Sequence, residues 1–255
     1  MGSPKTTRLV LLLSWRLALG IRNEGDVNIF LAFSKTGSST LRQAFADRAR
    51  AQGWQAYARG GWSVCHLNAT TPGHCDGVPN AYVVQASAPG LDACGEFAPR
   101  PCRMILLLRE PVARAVSSYY YYNVACSDGF ACDRNVSLVD FVRAAPRHPY
   151  VDRFAPYDDA DADARTASAV AAVERSARNG AALVLFTETL DCARDELSAF
   201  VRGADVGALR HAKRRAGNPE PAAADLAALR DLLRYDVAFY DRLFAEYGRD
   251  CRGVT

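Results

Sequence analysis

At 255 residues, with 49% hydrophobic and 23% charged side chains, the chain can bury one sizeable core and is too apolar to be disordered. A formal net charge of +3 is too small to argue for nucleic acid as a partner. The cations are almost all arginine, with lysine only at Lys5, Lys35 and Lys213.

Residues 9–21 form an apolar run that follows Lys5 and Arg8 and is interrupted by Arg16. The run is short for a membrane span and fits a weak signal anchor, a signal-peptide core or a first helix. Residues 1–26 are therefore read as a possible signal anchor or N-terminal extension, and 27–255 as one domain. The Met1-Gly2 and Thr6 pattern also fits a loose myristoylation signal. That would place the chain in the cytosol, against its cysteines, which carry more weight.

Residues 27–33 read as a buried strand. It stops at Ser34-Lys35-Thr36-Gly37-Ser38-Ser39-Thr40, and helical spacing resumes from Ser39 to about Gln52. Residues 60–80 read as a stapled loop and 81–85 as a short strand. The continuous apolar run 103–108 reads as a central parallel strand. Pro111 then opens a helix at its first turn and carries it through Tyr119-Tyr120-Tyr121-Tyr122. A short helix is expected from Leu138 to Arg143, an irregular lid or acceptor-binding loop over 145–163, and a helix from Ala164 to Arg178. Residues 182–186 read as another buried strand ending at Thr187-Glu188, followed by a helix to about Val201. A basic loop over 203–221 precedes one long helix from Ala222 to Tyr247. Strands alternating with helices predict an α/β fold, a parallel central sheet with helices on both faces.

Eight cysteines fall into pairs by spacing: Cys65 with Cys75, Cys94 with Cys102, Cys126 with Cys132, leaving Cys192 with Cys251. The even count and short spacings suggest disulfides and an oxidising compartment. The sequons Asn68-Ala69-Thr70 and Asn135-Val136-Ser137 agree with a secretory route and a glycoprotein. The cluster Cys65-His66 with His74-Cys75 is the one arrangement resembling a zinc site, and disulfide formation is the preferred reading; no metal site is expected.

The Lys35 loop has the form of an anion cradle: strand, Gly/Ser/Thr loop, helix N-terminus and a full positive charge. A nucleotide-triphosphate loop would place its lysine after the second of two glycines; here Lys35 precedes Gly37. A second anion site follows the central strand. Arg109 ends that strand, and Ser117 lies two helical turns on, supplying an arginine fork and a hydroxyl for a terminal phosphate. Arg114 is one turn from Ser117 and is expected to assist. The two sites describe a ligand with phosphate-like groups at both ends.

On these residues the chain resembles the sulfotransferases. Ser34 to Thr40 resembles their 5′-phosphosulfate loop, and Leu108-Arg109-Glu110-Pro111-Val112 with Ser117 resembles their 3′-phosphate motif. The likeness is greatest to the membrane-associated Golgi carbohydrate sulfotransferases of the uronyl and heparan 2-O type. Leu185 to Leu190, Asn218-Pro219 and Leu233 to Tyr240 are similar as well. The resemblance implies a P-loop-like sulfotransferase fold and 3′-phosphoadenosine 5′-phosphosulfate as co-substrate. It implies transfer of its sulfuryl group to a hydroxyl of a carbohydrate. The basic stretch Arg210 to Arg215 suits an acidic one. The resemblance places Lys35, with Thr36, Gly37, Ser38, Ser39 and Thr40, on the phosphosulfate, and Arg109 and Ser117 on the 3′-phosphate. It implies no metal, and residence in the Golgi lumen or as a type II Golgi membrane protein. Related enzymes often carry a base histidine where this chain has Ser87; His66 is the expected base instead. Glu110, which replaces the family's aspartate, is expected to order its loop, and Glu188 to serve as base or helix cap. The alternatives are a non-catalytic nucleotide- or glycan-binding module on the same fold and, further off, a P-loop kinase.

Overall fold

The computed structural model describes residues 27–33, 35–37, 40–41, 82–85, 102–126, 133, 135–145, 148–155, 161–200, 218–249 and 251. Four strands, β1 (Val27–Ala32), β2 (Tyr82–Gln85), β3 (Cys102–Leu108) and β4 (Ala182–Phe186), pair in the order β2-β1-β3-β4. Every pairing is parallel, with Phe30 opposite Ile105 and Ile105 opposite Leu183. Parallel strands covered on both faces need apolar residues at consecutive positions, and Met104 to Leu108 are all essentially inaccessible.

The expected strands are thus found, as are helices on both faces. After β3 come α1 (Pro111–Ser118), α2 (Leu138–Ala144), the short α3 (Val151–Phe154) and α4 (Ala162–Arg178). A 3-10 turn (Thr187–Ala193) follows β4 and leads into α5 (Arg194–Phe200); α6 (Ala223–Leu232) and α7 (Arg234–Tyr247) close the chain. Leu31, Leu106, Val184 and Phe186 face a core completed by Phe154 of α3, Val173 of α4 and Phe239 and Leu243 of α7. On the opposite face Ile105, Leu107 and Leu185 are equally buried. There Phe200 of α5 lies 4.7 Å from the Arg103 guanidinium.

Three expectations change. The helix of 222–247 is broken at Leu233 (φ −104°, ψ 15°). Leu229 and Leu233 bury against α1 and α2, whereas α7 turns Phe239 and Leu243 onto the sheet. One straight helix cannot present both stripes to two separate cores. The helix opened by Pro111 widens into a π-helical turn over Tyr119–Val124 rather than continuing as α. Lastly, 148–155 is core rather than lid. Tyr150 and Val151 are at most 1% exposed, and the Tyr150 ring meets Phe33 edge-on at 4.7 Å while Phe154 stacks on Phe239 at 5.6 Å. The Asp236 carboxylate accepts the N–H groups of Tyr150 and Val151 at 3.2 and 3.1 Å, which caps α3 from across the core.

Cys192 and Cys251 form a disulfide as expected, with Cα atoms 5.7 Å apart. It closes a loop of 59 residues, which in the chain-entropy account stabilises the fold by about 4 kcal/mol. Cys126 is also oxidised; the pairings expected for Cys65, Cys75, Cys94 and Cys132 fall outside the described residues. Among the described residues no helix is long and apolar enough to cross a membrane, and residues 9–21 lie outside them.

Candidate anion-binding cleft

The loop after β1 is built by local hydrogen bonds. The buried Thr36 hydroxyl donates to the Phe33 carbonyl at 3.0 Å, and the Thr40 N–H donates to the Gly37 carbonyl at 2.9 Å where the next helix begins. Two residues of the loop are left-handed, Lys35 at φ 65° and Gly37 at φ 78°. For glycine this is unstrained, but for lysine it costs roughly 1–2 kcal/mol. Strain of that kind persists where the surroundings over-determine it, and it clusters at functional sites.

The end of β3 is built by side chains from elsewhere. Tyr150 Oη accepts the Arg109 N–H at 3.1 Å and lies 2.9 Å from the Arg109 carbonyl, to which it donates. Burial pushes the Tyr150 phenol well up, so it keeps the proton it donates. Glu188 Oε1 accepts the Glu110 N–H at 2.9 Å, and Tyr240 Oη donates to Glu188 Oε2 at 2.9 Å. Glu110 orders the turn, as expected: its carboxylate accepts the N–H groups of Val112 (3.2 Å) and Ala113 (2.6 Å), capping α1. With that carboxylate in place, the α1 N-terminus is satisfied internally.

Two contacts join the strand ends. Arg109 Nη1 donates to the Lys35 carbonyl at 3.0 Å. The Thr187 hydroxyl, at the end of β4, sits 2.6 Å from the Thr36 carbonyl and 3.0 Å from the Leu108 carbonyl, sharing one proton between them. The result is a cleft of about 580 Å³ at the carboxyl ends of the strands, where open parallel sheets bind ligands. Lys35, Arg109 and Ser117 all line it. Ser117 is half-buried, and its hydroxyl is engaged by no described residue. Lys35 Nζ stands 3.5 Å from the centre of the Tyr121 ring, a cation–π contact that keeps the ammonium at the cleft wall.

Thr36, Gly37 and Thr40 belong to this loop but are not among the residues lining the cleft, and Ser38 and Ser39 fall outside the described residues. So do the expected base His66, Ser87 and the basic stretch Arg210 to Arg215. Arg114 does not assist Ser117: its guanidinium lies 5.0 Å from the Tyr150 ring centre, on the core side of α1. Glu188 caps no helix; it carries the Glu110 turn. Among the described residues no cluster of three or more metal-ligating side chains occurs.

Sequence reasoning missed Thr187, Tyr150 and Tyr240 as parts of this site, together with the segment 218–221 and Arg230 on the far wall. Tyr120 Oη fastens that segment by donating to the Pro219 carbonyl at 2.7 Å. The four consecutive tyrosines were the available signal: Tyr120 and Tyr121 face the cleft, and Tyr119 packs edge-on against Phe141 of α2 at 5.6 Å.

No family model matches the chain, and no curated protein matches it. Among solved structures it is similar to mouse sulfotransferase SULT7A1 complexed with PAP, with a TM-score of 0.48 and 14% identity. The match covers 91% of this chain and 87% of that one.

Proposed function

We propose that the chain is a sulfotransferase that moves a sulfuryl group from 3′-phosphoadenosine 5′-phosphosulfate to a carbohydrate hydroxyl. The observation that carries this reading is the convergence of Lys35, Arg109 and Ser117 on one cleft from three separate elements. Two cationic groups and a hydroxyl suit a ligand with two anionic ends, and the volume is that of an ordinary small-molecule site.

The donor supplies an activated sulfur bonded to a phosphate leaving group. In the proposed reaction the acceptor oxygen bonds to sulfur as the sulfur–oxygen bond to the phosphate breaks, and the acceptor proton passes to a base. Lys35 stabilises the charge growing on the leaving oxygen, with the Thr36–Thr40 loop around it. Arg109 and Ser117 hold the 3′-phosphate and so fix the donor's orientation. His66 is the proposed base. The Cys192–Cys251 disulfide and the exposed Asn135 sequon support a secretory-pathway enzyme, and a Golgi location follows from the same reading.

The test is transfer of labelled sulfate from the donor to a panel of acidic and neutral glycans. Transfer to a glycan hydroxyl is expected. Tight binding of adenosine 3′,5′-bisphosphate without transfer to any acceptor would leave a binding module, and failure to bind it would end the reading.

A further inference from the structure

The backbone at and around Arg109 is moored by side chains from other segments. Three successive residues at the end of β3 have main-chain groups held by side chains distant in sequence. The Leu108 carbonyl is held by Thr187, both polar groups of the Arg109 backbone by Tyr150, and the Glu110 N–H by Glu188. The separations are 79, 41 and 78 residues. Tyr150 and Glu188 are in turn held by one helix: Asp236 of α7 accepts the Tyr150 N–H, and Tyr240, one turn further along, donates to Glu188. The Tyr150 ring is locked by Phe33 at 4.7 Å and Phe239 at 6.1 Å. Its hydroxyl therefore has one reachable position, on the Arg109 peptide.

A loop end bonded only to water would let the guanidinium sample a wide arc. Here the Cα of Arg109 is fixed on two sides, and the side chain leaves it to donate to the Lys35 carbonyl and line the cleft. From this geometry we infer that Tyr150 and Glu188 are positioning residues for Arg109, and that α7 sets the cleft's affinity for the second phosphate of its ligand without touching that ligand. Neither residue is among those lining the cleft. The inference rests on the reading of Arg109 as a 3′-phosphate ligand.

The test compares two probes, adenosine 3′,5′-bisphosphate and adenosine 5′-monophosphate, by calorimetric titration of the full chain. Wild type should prefer the bisphosphate. Tyr150→Phe keeps the ring and removes only the hydroxyl; it should weaken bisphosphate binding about tenfold and leave monophosphate binding within twofold. In an Arg109→Ala background the same change should have no further effect on bisphosphate binding, since the group it positions is gone. Glu188→Ala, an exposed position, should show the same ligand-selective loss on a smaller scale and serves if Tyr150→Phe does not fold. Unchanged bisphosphate affinity in both variants, equal loss for both probes, or a loss that persists without Arg109 would each overturn the inference while sparing the sulfotransferase reading. A wild type that does not distinguish the two probes would sink both.

Discussion

The two strand ends that meet in the cleft are built by opposite means. The loop after β1 is shaped mostly by its own bonds: Thr36 bonds back three residues, Gly37 supplies a left-handed turn, and Thr40 closes the first helical turn, with Arg109 and Thr187 reaching in only to the Lys35 and Thr36 carbonyls. The end of β3 is held from outside, by Tyr150, Thr187 and Glu188, with α7 behind two of them. The first depends on the rest of the fold through two carbonyls only; the second inherits the integrity of the C-terminal helix. In the proposed reaction the charge that follows the breaking bond is Lys35, on the locally built loop, and the charge that holds the ligand is Arg109, on the moored strand end.

Four changes would break or sharpen that contrast. The largest effect is expected from Lys35→Ala, which should lower the rate of sulfuryl transfer by about 10²–10³-fold, the usual cost of losing one transition-state charge partner. Bisphosphate affinity, measured on the same sample, should change far less. Equal losses in rate and affinity would place Lys35 with Arg109 as a holding group.

Asp236 tests the mooring. Burial raises its carboxyl from an ordinary 3.8 to about 7, against the pull of the Val151 N–H and Arg114. The folded state thus keeps a proton that the unfolded chain releases, so this group's contribution to stability is complete below pH 4 and is lost as pH rises toward 7. The change amounts to a few kcal/mol. Urea midpoints measured from pH 4 to 8 should fall across that window in the wild type, and Asp236→Asn should remove most of the fall. A variant with the wild-type slope would assign the pH dependence to another group.

Thr187→Val removes the one hydroxyl shared by both strand ends while keeping the branched shape. It should cost about 1–2 kcal/mol of stability, from carbonyls left without a donor. It should also weaken bisphosphate binding several-fold. Intact binding in a destabilised variant would show that each strand end keeps its place alone.

The smallest expected effect is also the most local. Lys35→Gly should lose activity as Lys35→Ala does, yet the glycine variant should be the more stable of the two by about 1 kcal/mol in urea denaturation, because only glycine adopts φ 65° without cost. Equal stabilities would mean the loop relaxes when the lysine is removed.

Much of this was legible in the chain. The strands declared themselves as continuous apolar runs because a parallel sheet is buried on both faces. The Lys35 loop was legible because the bonds that set its turns lie within a few residues of one another, and Arg109 and Ser117 because one helix carries the serine from the strand end. The break at Leu233 was hidden because Ala222 to Tyr247 is helix-forming throughout, and only two separate cores demand the bend. The segment 148–155 looked like a lid because Pro and Asp dominate its surroundings in sequence, while its aromatic residues find their partners in Phe33 and Phe239 across the fold. Arg114 was misassigned because helical spacing alone does not say whether the Ser117 face or the Tyr150 face receives a side chain.

The sequence by itself determined the parallel strands, the helices that alternate with them and the residue types proposed to face an anion, since these depend on local periodicity and on contacts a few residues apart. Only the tertiary structure decided where Arg109 stands, because its backbone partners lie 41 and 78 residues away and are delivered by packing against α7. A hydrogen bond between distant residues leaves no period in a sequence; it exists once the core has placed both ends.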